Sequence, residues 1–288
     1  MLYMLLSSFA FSGMGVFVKL AHDVPLAEKV FFRNLVALFI SLALALRTGR
    51  SLFGRRENQK LLMGRALLGL GGVVTFFYAL GHLLLVDADM LNKLSPFFVA
   101  IFAGLFLGER PSRVYPLALV VAFGGAMLII KPTFELTLLP ALVGLASAAF
   151  AGGAYTVVRA LKNREGAETI VFYFSFVSSL LSLPFVVRDF VPLTAAQWGA
   201  LAGIGVSAAV GQIWLTLAYA CGPAAEVSIV MYTSILFSAV FGFVFWGEIP
   251  DAWSLLGGVM IIGAALLLFG IASRVARPSA IPEKARDS

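Results

Sequence analysis

Two cations sit deep in stretches that are otherwise apolar. Lys93 lies in DADMLNKLSPFFVAIFAGLFLGERP, which runs from Asp87 to Pro111, and Arg33 lies in FFRNLVALFI. An ionisable side chain inside hydrocarbon costs about 2.5–3.5 kcal/mol on insertion scales, so one that persists snorkels, pairs locally or binds something. At a helical rise of 1.5 Å, each cation lies about 9–10 Å inside its span. A cation at that depth can neutralise a carboxylate or phosphate on a solute. Asn34, Asn92 and Ser95 would add neutral hydrogen bonds beside the two charges. Tyr155, Gln212, Trp214, Tyr219, Tyr232 and Ser234 would line the other half of such a site, Gln212 best of all, because a buried amide in lipid seeks a partner. Plainer roles stand beside these. Asp89 precedes Lys93 by one turn in the favourable acid-then-base order. Arg33 has the length to reach the surface or a backbone carbonyl. Any of the aromatic and amide groups can simply pack helix on helix. Lys19 and Arg159 each end an apolar run, where snorkelling to the headgroups is expected.

The elements that carry these residues are set by composition. Of 288 residues 60% are hydrophobic and only 12% are charged. A soluble domain carries about a quarter charged residues, so lipid must replace water around most of this chain. The apolar runs are long and do not alternate, which selects helices over a barrel. The pattern predicts an all-α integral membrane protein with ten transmembrane helices, near residues 2–21, 26–46, 61–83, 87–108, 113–131, 138–161, 168–187, 195–219, 224–247 and 252–272. The first run lacks a basic leader and a small-residue cleavage site and is expected to be retained as a span. Connectors are short and rich in Gly, Pro or charge. A single cysteine, Cys221, excludes an internal disulfide.

Charge placement gives a topology. Fifteen of 21 Lys and Arg residues, Arg65 among them, fall in the even-numbered connectors and the tail, whereas odd-numbered connectors hold only Lys29, Lys131 and Arg188. The positive-inside rule then places both termini in the cytoplasm and the protein in the inner (plasma) membrane. Trp198, Trp246 and Trp253 fall near the outer face, as an interfacial belt would. The basic runs are too short, and too poor in aromatic platforms, for nucleic acid. The expected partners are the lipid bilayer and a small-molecule substrate. Ala100, Gly104 and Gly108 recur at the spacing of close helix packing, serving either the interior or a homodimer. No template for hydrolysis, metal chemistry or ATP binding occurs, so neither an enzyme nor a cofactor is expected. No carboxylate lies deep in any span; Asp87, Asp89 and Glu226 are all near ends. That pattern favours a facilitator or exchanger, or coupling through those terminal acids.

The chain also repeats itself. A shift of 139 residues lays EVSIVMYTSILFSAVFGFVFWGEIP over the Lys93 stretch: Ser95 meets Ser234, Phe98 meets Phe237, Gly108-Glu109 meets Gly247-Glu248 and Pro111 meets Pro250. A shift of 140 lays Lys19 on Arg159. Five spans per half is an odd number, so the second half is predicted to be inverted relative to the first. Inverted repeats characterise secondary transporters, with the site between the halves near mid-membrane. The expected units are residues 1–135, residues 136–272 and a basic tail at 273–288. Glu109 and Glu248, each just before a Pro that starts a span, are expected to cap the helix that follows.

FYALGHLLLVDADMLNKLSPFFVAIFAGLFLGERPS and WLTLAYACGPAAEVSIVMYTSILFSAVFGFVFWGEIPDAW resemble the EamA family of drug/metabolite transporters over nearly the whole chain. The paired Gly-Glu-x-Pro endings are the most specific marks. The resemblance implies a ten-helix carrier with a central cavity lined by spans 1, 3, 4, 6, 8 and 9, and substrates such as amino acids, amines, S-adenosylmethionine or nucleotide sugars. The two buried cations favour an amino acid or another carboxylate-bearing solute moved by alternating access. An exporter of amines or drugs, an S-adenosylmethionine-type carrier, and a channel or scaffold without a bound solute stay open as alternatives. If both cations face the cavity, a purely cationic drug is a poor substrate.

Overall fold

The computed structural model describes residues 2–49, 51–108, 114–130, 138–162, 164–221 and 230–275, without the side chains of 216, 217, 219–221 and 268–275. Glu109, Pro111 and the tail after 275 lie outside these residues, as does the Tyr219 side chain. The described chain folds into helices: α1 (Leu2–Leu20), α2 (Leu26–Thr48), α3 (Gln59–His82), α4 (Leu85–Asn92), α5 (Ser95–Leu107), α6 (Tyr115–Ile130), α7 (Leu138–Leu161), α8 (Ala167–Arg188), α9 (Ala195–Cys221), α10 (Thr233–Trp246) and α11 (Ala252–Val275). Among the described residues, 7 helical stretches are long and apolar enough to cross a membrane, and three shorter apolar helices accompany them.

Lipid solvation shows in which side chains face out. Large apolar groups such as Leu105, Phe106, Val120 and Val187 are more than two-thirds exposed. The interior instead takes Ser7, Ser8, Ser12, Glu28, Asn34, Asp89, Ser147 and Ser234 among its apolar residues. A polar group in hydrocarbon must find a partner inside the protein, so burial sorts by hydrogen bonding as well as by hydrophobicity.

The helices pack as α1 with α9, α3 with α7, α2 with α8, α6 with α11, α5 with α7, and α1 with α10. Glycine allows the closest of these approaches. A Cβ on Gly125 in α6 would come within 2.6 Å of the Gly257 carbonyl oxygen in α11, so these two backbones touch where neither residue has a side chain.

The span predicted at 87–108 is broken. α4 ends at Asn92, Lys93 and Leu94 form a turn, and α5 starts at Ser95 with Pro96 in its first turn. Proline has no amide hydrogen to donate and disfavours a helical residue before it, which fits a helix restart here. A second break falls in the other half of the chain, where Val230 is helical, Met231 and Tyr232 form a turn, and α10 begins at Thr233. Arg65 is not a connector residue. It sits in the second turn of α3, facing protein.

Candidate functional site

Breaking a helix exposes backbone carbonyls that lipid cannot satisfy. Neighbouring side chains take them up. The Ser8 hydroxyl lies 3.4 Å from the Met231 carbonyl, and the Ser12 hydroxyl donates to the Ser234 carbonyl at 3.0 Å. On the other side, the Tyr232 hydroxyl reaches the Lys93 carbonyl at 3.4 Å. The two breaks therefore meet, each in contact with the other half of the chain.

Asp89 is the hub of this junction. One carboxylate oxygen accepts from Ser234 at 2.7 Å and from Ser238 at 3.2 Å, and the other lies 3.6 Å from the Lys93 ammonium. Both ionic side chains are almost enclosed, with 10% and 12% exposed. The local pair expected for Lys93 thus exists. Asp89 corrects the expectation that acids near a span end stay at its margin, because α10 packs over it and buries it. Beside it, Asn92 donates to Ser147 on α7 at 3.0 Å, and the Ser147 hydroxyl donates to the Gly144 carbonyl at 2.6 Å. Ser95 is buried at the start of α5.

A second polar group centres on Phe174 of α8. The Arg33 guanidinium carbon lies 5.7 Å from the ring centroid and that of Arg65 lies 4.2 Å from it. Arg33 donates to the Asn34 side-chain oxygen at 2.9 Å, and Asn34 donates to the Val30 carbonyl at 2.8 Å. Tyr155 on α7 is half exposed. The companion of Arg33 is therefore Arg65, not Lys93. Sequence reasoning counted Arg65 as a topology signal. Gly69, one turn further on α3, was the available hint, since a Cβ there would come within 2.8 Å of the Phe174 ring. Gln212 and Trp214 lie on α9, exposed and partly exposed respectively.

A third group ties helices together at the end of the molecule where α1 meets α2. Lys19 forms an ion pair with Glu248, donates to the Leu83 carbonyl at 3.1 Å, and stands 5.1 Å from the Trp246 ring centroid. The second Glu248 oxygen accepts from the Leu83–Leu85 hinge, at the Leu85 amide, at 2.9 Å. Lys19 does not snorkel; an internal carboxylate holds it. Nor does Glu248 cap the helix that follows it. Asp251 does that, accepting from the Ser254 amide at 2.8 Å. Gly247 explains the difference. Its φ of 65° ends α10 in a left-handed turn, so Glu248 is directed back toward α4. At the opposite end, Glu165 accepts from the Arg55 amide at 2.8 Å and from the Asn58 side chain at 2.6 Å.

Together these features define a helical membrane protein with a polar interior built on interrupted helices. A sequence model of the EamA-like transporter family matches residues 1–131 and again 138–270, and the chain belongs to that family. It is 42% identical to the pseudopaline exporter CntI of Pseudomonas aeruginosa over 267 residues, covering 91% of this chain and 93% of that one. It is 29% identical to a riboflavin transporter of Rhizobium johnstonii, covering 93% and 89%. It is 25% identical to human solute carrier family 35 member G1, covering 91% and 76%. One solved crystal structure shares the fold at a TM-score of 0.64 with 15% identity, over 94% of this chain and 99% of its own.

Proposed function

We propose that this protein is a secondary carrier that exports a small organic solute bearing carboxylate groups, by alternating access between two inverted halves, residues 1–135 and 136–272. The observation that carries the reading is the meeting of the two helix breaks at Tyr232 and Lys93, with Asp89 joining them. Interrupted helices at a repeat interface are where carriers place solutes. The packing supports the inversion. Exchanging the halves turns the α1–α9 pair into α7–α3 and the α5–α7 pair into α10–α1, and returns α2–α8 and α6–α11 to themselves. Side-chain contacts follow the same exchange. Glu28 accepts from the Val191 amide at 3.1 Å, and Thr169, at the matching place, donates to the Ser51 carbonyl at 2.6 Å.

Sidedness follows from the charge count, with both termini cytoplasmic in an inner membrane. The Lys19–Glu248 end then faces outward and is tied across by that ion pair, which fits a solute site loaded from inside. The name of the 42%-identical relative, an exporter, supports that direction. Cations at Arg33 and Arg65, which no carboxylate neutralises among the described residues, favour an anionic solute over an amine or drug cation.

Purified protein in liposomes tests this reading. Radiolabelled organic acids and amino acids, screened for flux, are expected to give at least one solute whose transport saturates and is accelerated by unlabelled solute on the far side. Flux that never saturates for any solute means a channel and contradicts the reading.

A further inference from the structure

Arg33 and Arg65 pose a problem that the junction at Asp89 does not. Two guanidiniums share one phenyl ring within the membrane-spanning helices. Among the described residues no carboxylate pairs with either, and the only side-chain acceptor Arg33 has is the neutral Asn34 oxygen. Arg33 Nε, Arg65 Nε and Arg65 Nη1 are buried donors without an acceptor. The hydroxyls of Ser175 and Ser178, on α8 beside Phe174 and one turn beyond it, are likewise buried and unpartnered. Leaving a buried donor unmet costs about 1–3 kcal/mol, more when it is charged. Two like charges side by side in low dielectric raise that cost. The Lys93, Lys19 and Glu165 clusters, by contrast, are internally satisfied.

We infer that Arg33 and Arg65 form a two-guanidinium site for a solute carrying two carboxylates. Resting on the carrier reading, this assigns the charge class of its solute. Each guanidinium can take one carboxylate with paired hydrogen bonds. Both guanidiniums pack against Phe174, and the absence of a side chain at Gly69 leaves room for the Arg65 head group. Arg65 and Phe174 each lie about 9–11 Å inside the starts of their helices. Those starts share the end marked by the Glu165–Arg55 contact, opposite the Lys19–Glu248 closure. The site is thus placed for loading from the end that the charge count makes cytoplasmic.

The test is thermal unfolding of the full chain in neutral detergent, with succinate and glutarate as probes against acetate, inorganic phosphate and phosphatidylglycerol. At about a hundredfold excess over Kd, the two dicarboxylates are expected to raise the melting midpoint by about 4 °C or more, and acetate at equal concentration is not. Arg65→Met and Arg33→Met are each expected to weaken succinate binding at least about 30-fold. Without ligand, Arg65→Met should melt at or above the wild-type midpoint, since it removes an unmet charge; a purely structural arginine would give the opposite sign. Arg65→Lys keeps the charge, loses the paired hydrogen bonds, and is expected to bind weakly. A response to phosphatidylglycerol or phosphate alone makes this a phosphate or lipid site and overturns the inference, as does wild-type succinate binding by both Met variants. If saturable transport persists with those variants unimpaired, the inference fails while the carrier reading stands. If no solute saturates, the carrier reading itself fails.

Discussion

Asp89→Ala is expected to be among the most damaging single substitutions in this protein. It leaves the Lys93 ammonium enclosed without its carboxylate, removes the acceptor of Ser234 and leaves Ser238 with only Ser12. Breaking a buried pair from one side costs about 3–5 kcal/mol, because an uncompensated charge remains. In a protein of this size that is a drop of about 10 °C in melting midpoint. Because Asp89 holds α10 to α4, transport should fall with stability. The double variant Asp89→Asn, Lys93→Met removes both charges and keeps an acceptor for the serines, so it is expected to regain most of the lost stability but not transport. Unfolding midpoints and flux for Asp89→Ala and the double variant check this. A double variant as unstable as Asp89→Ala would show that the pair is not the source of the effect.

Glu248→Gln has a different expected signature. Glu248 joins the end of α10 to Lys19 on α1 and to the start of α4, and so holds one end of the molecule shut. Charge-assisted hydrogen bonds are worth about 1.5–3 kcal/mol each. Glutamine keeps a weaker bond to the Leu85 amide and loses the pairing with Lys19. A bias of about 2–3 kcal/mol changes the ratio of two conformations by about 30- to 150-fold. The variant is expected to fold, to shift toward the conformation open at that end, and to turn over slowly, with apparent affinity from the inside weakened as the inside-open conformation is depopulated. Lys19→Met should reproduce the slow turnover. Saturation kinetics in liposomes separate the two parameters. Normal turnover in both variants would remove this contact from the transport cycle.

How much of this was readable beforehand differs by residue. Helicity, membrane residence and the repeat follow from composition and from the Gly-Glu-x-Pro pair, since each leaves a local signature. The break at Lys93 had a local signal in Pro96, placed inside an apolar run; the one at Tyr232 has no proline within its turn and emerges only from packing. Asp89 looked marginal because sequence position measures depth along one helix and cannot show that α10 covers it. Glu248 reads as a cap of the following helix for a related reason: the left-handed turn at Gly247 redirects it, and its partner Lys19 lies 229 positions away. Arg65 was counted among interfacial cations because distance from a span end does not distinguish a guanidinium facing water from one lying over Phe174.

Alternating exposure of the helix-break junction is tested most directly by thiol accessibility. In a Cys221→Ser background, Asn92→Cys places a single thiol beside the Lys93 turn. A membrane-impermeant thiol reagent is applied to right-side-out and inside-out vesicles, with and without transported solute. The thiol is expected to react from both sides, faster from inside, with solute slowing both rates and Glu248→Gln raising the rate from outside. No reaction from either side, or reaction from one side alone that Glu248→Gln leaves unchanged, would contradict the account.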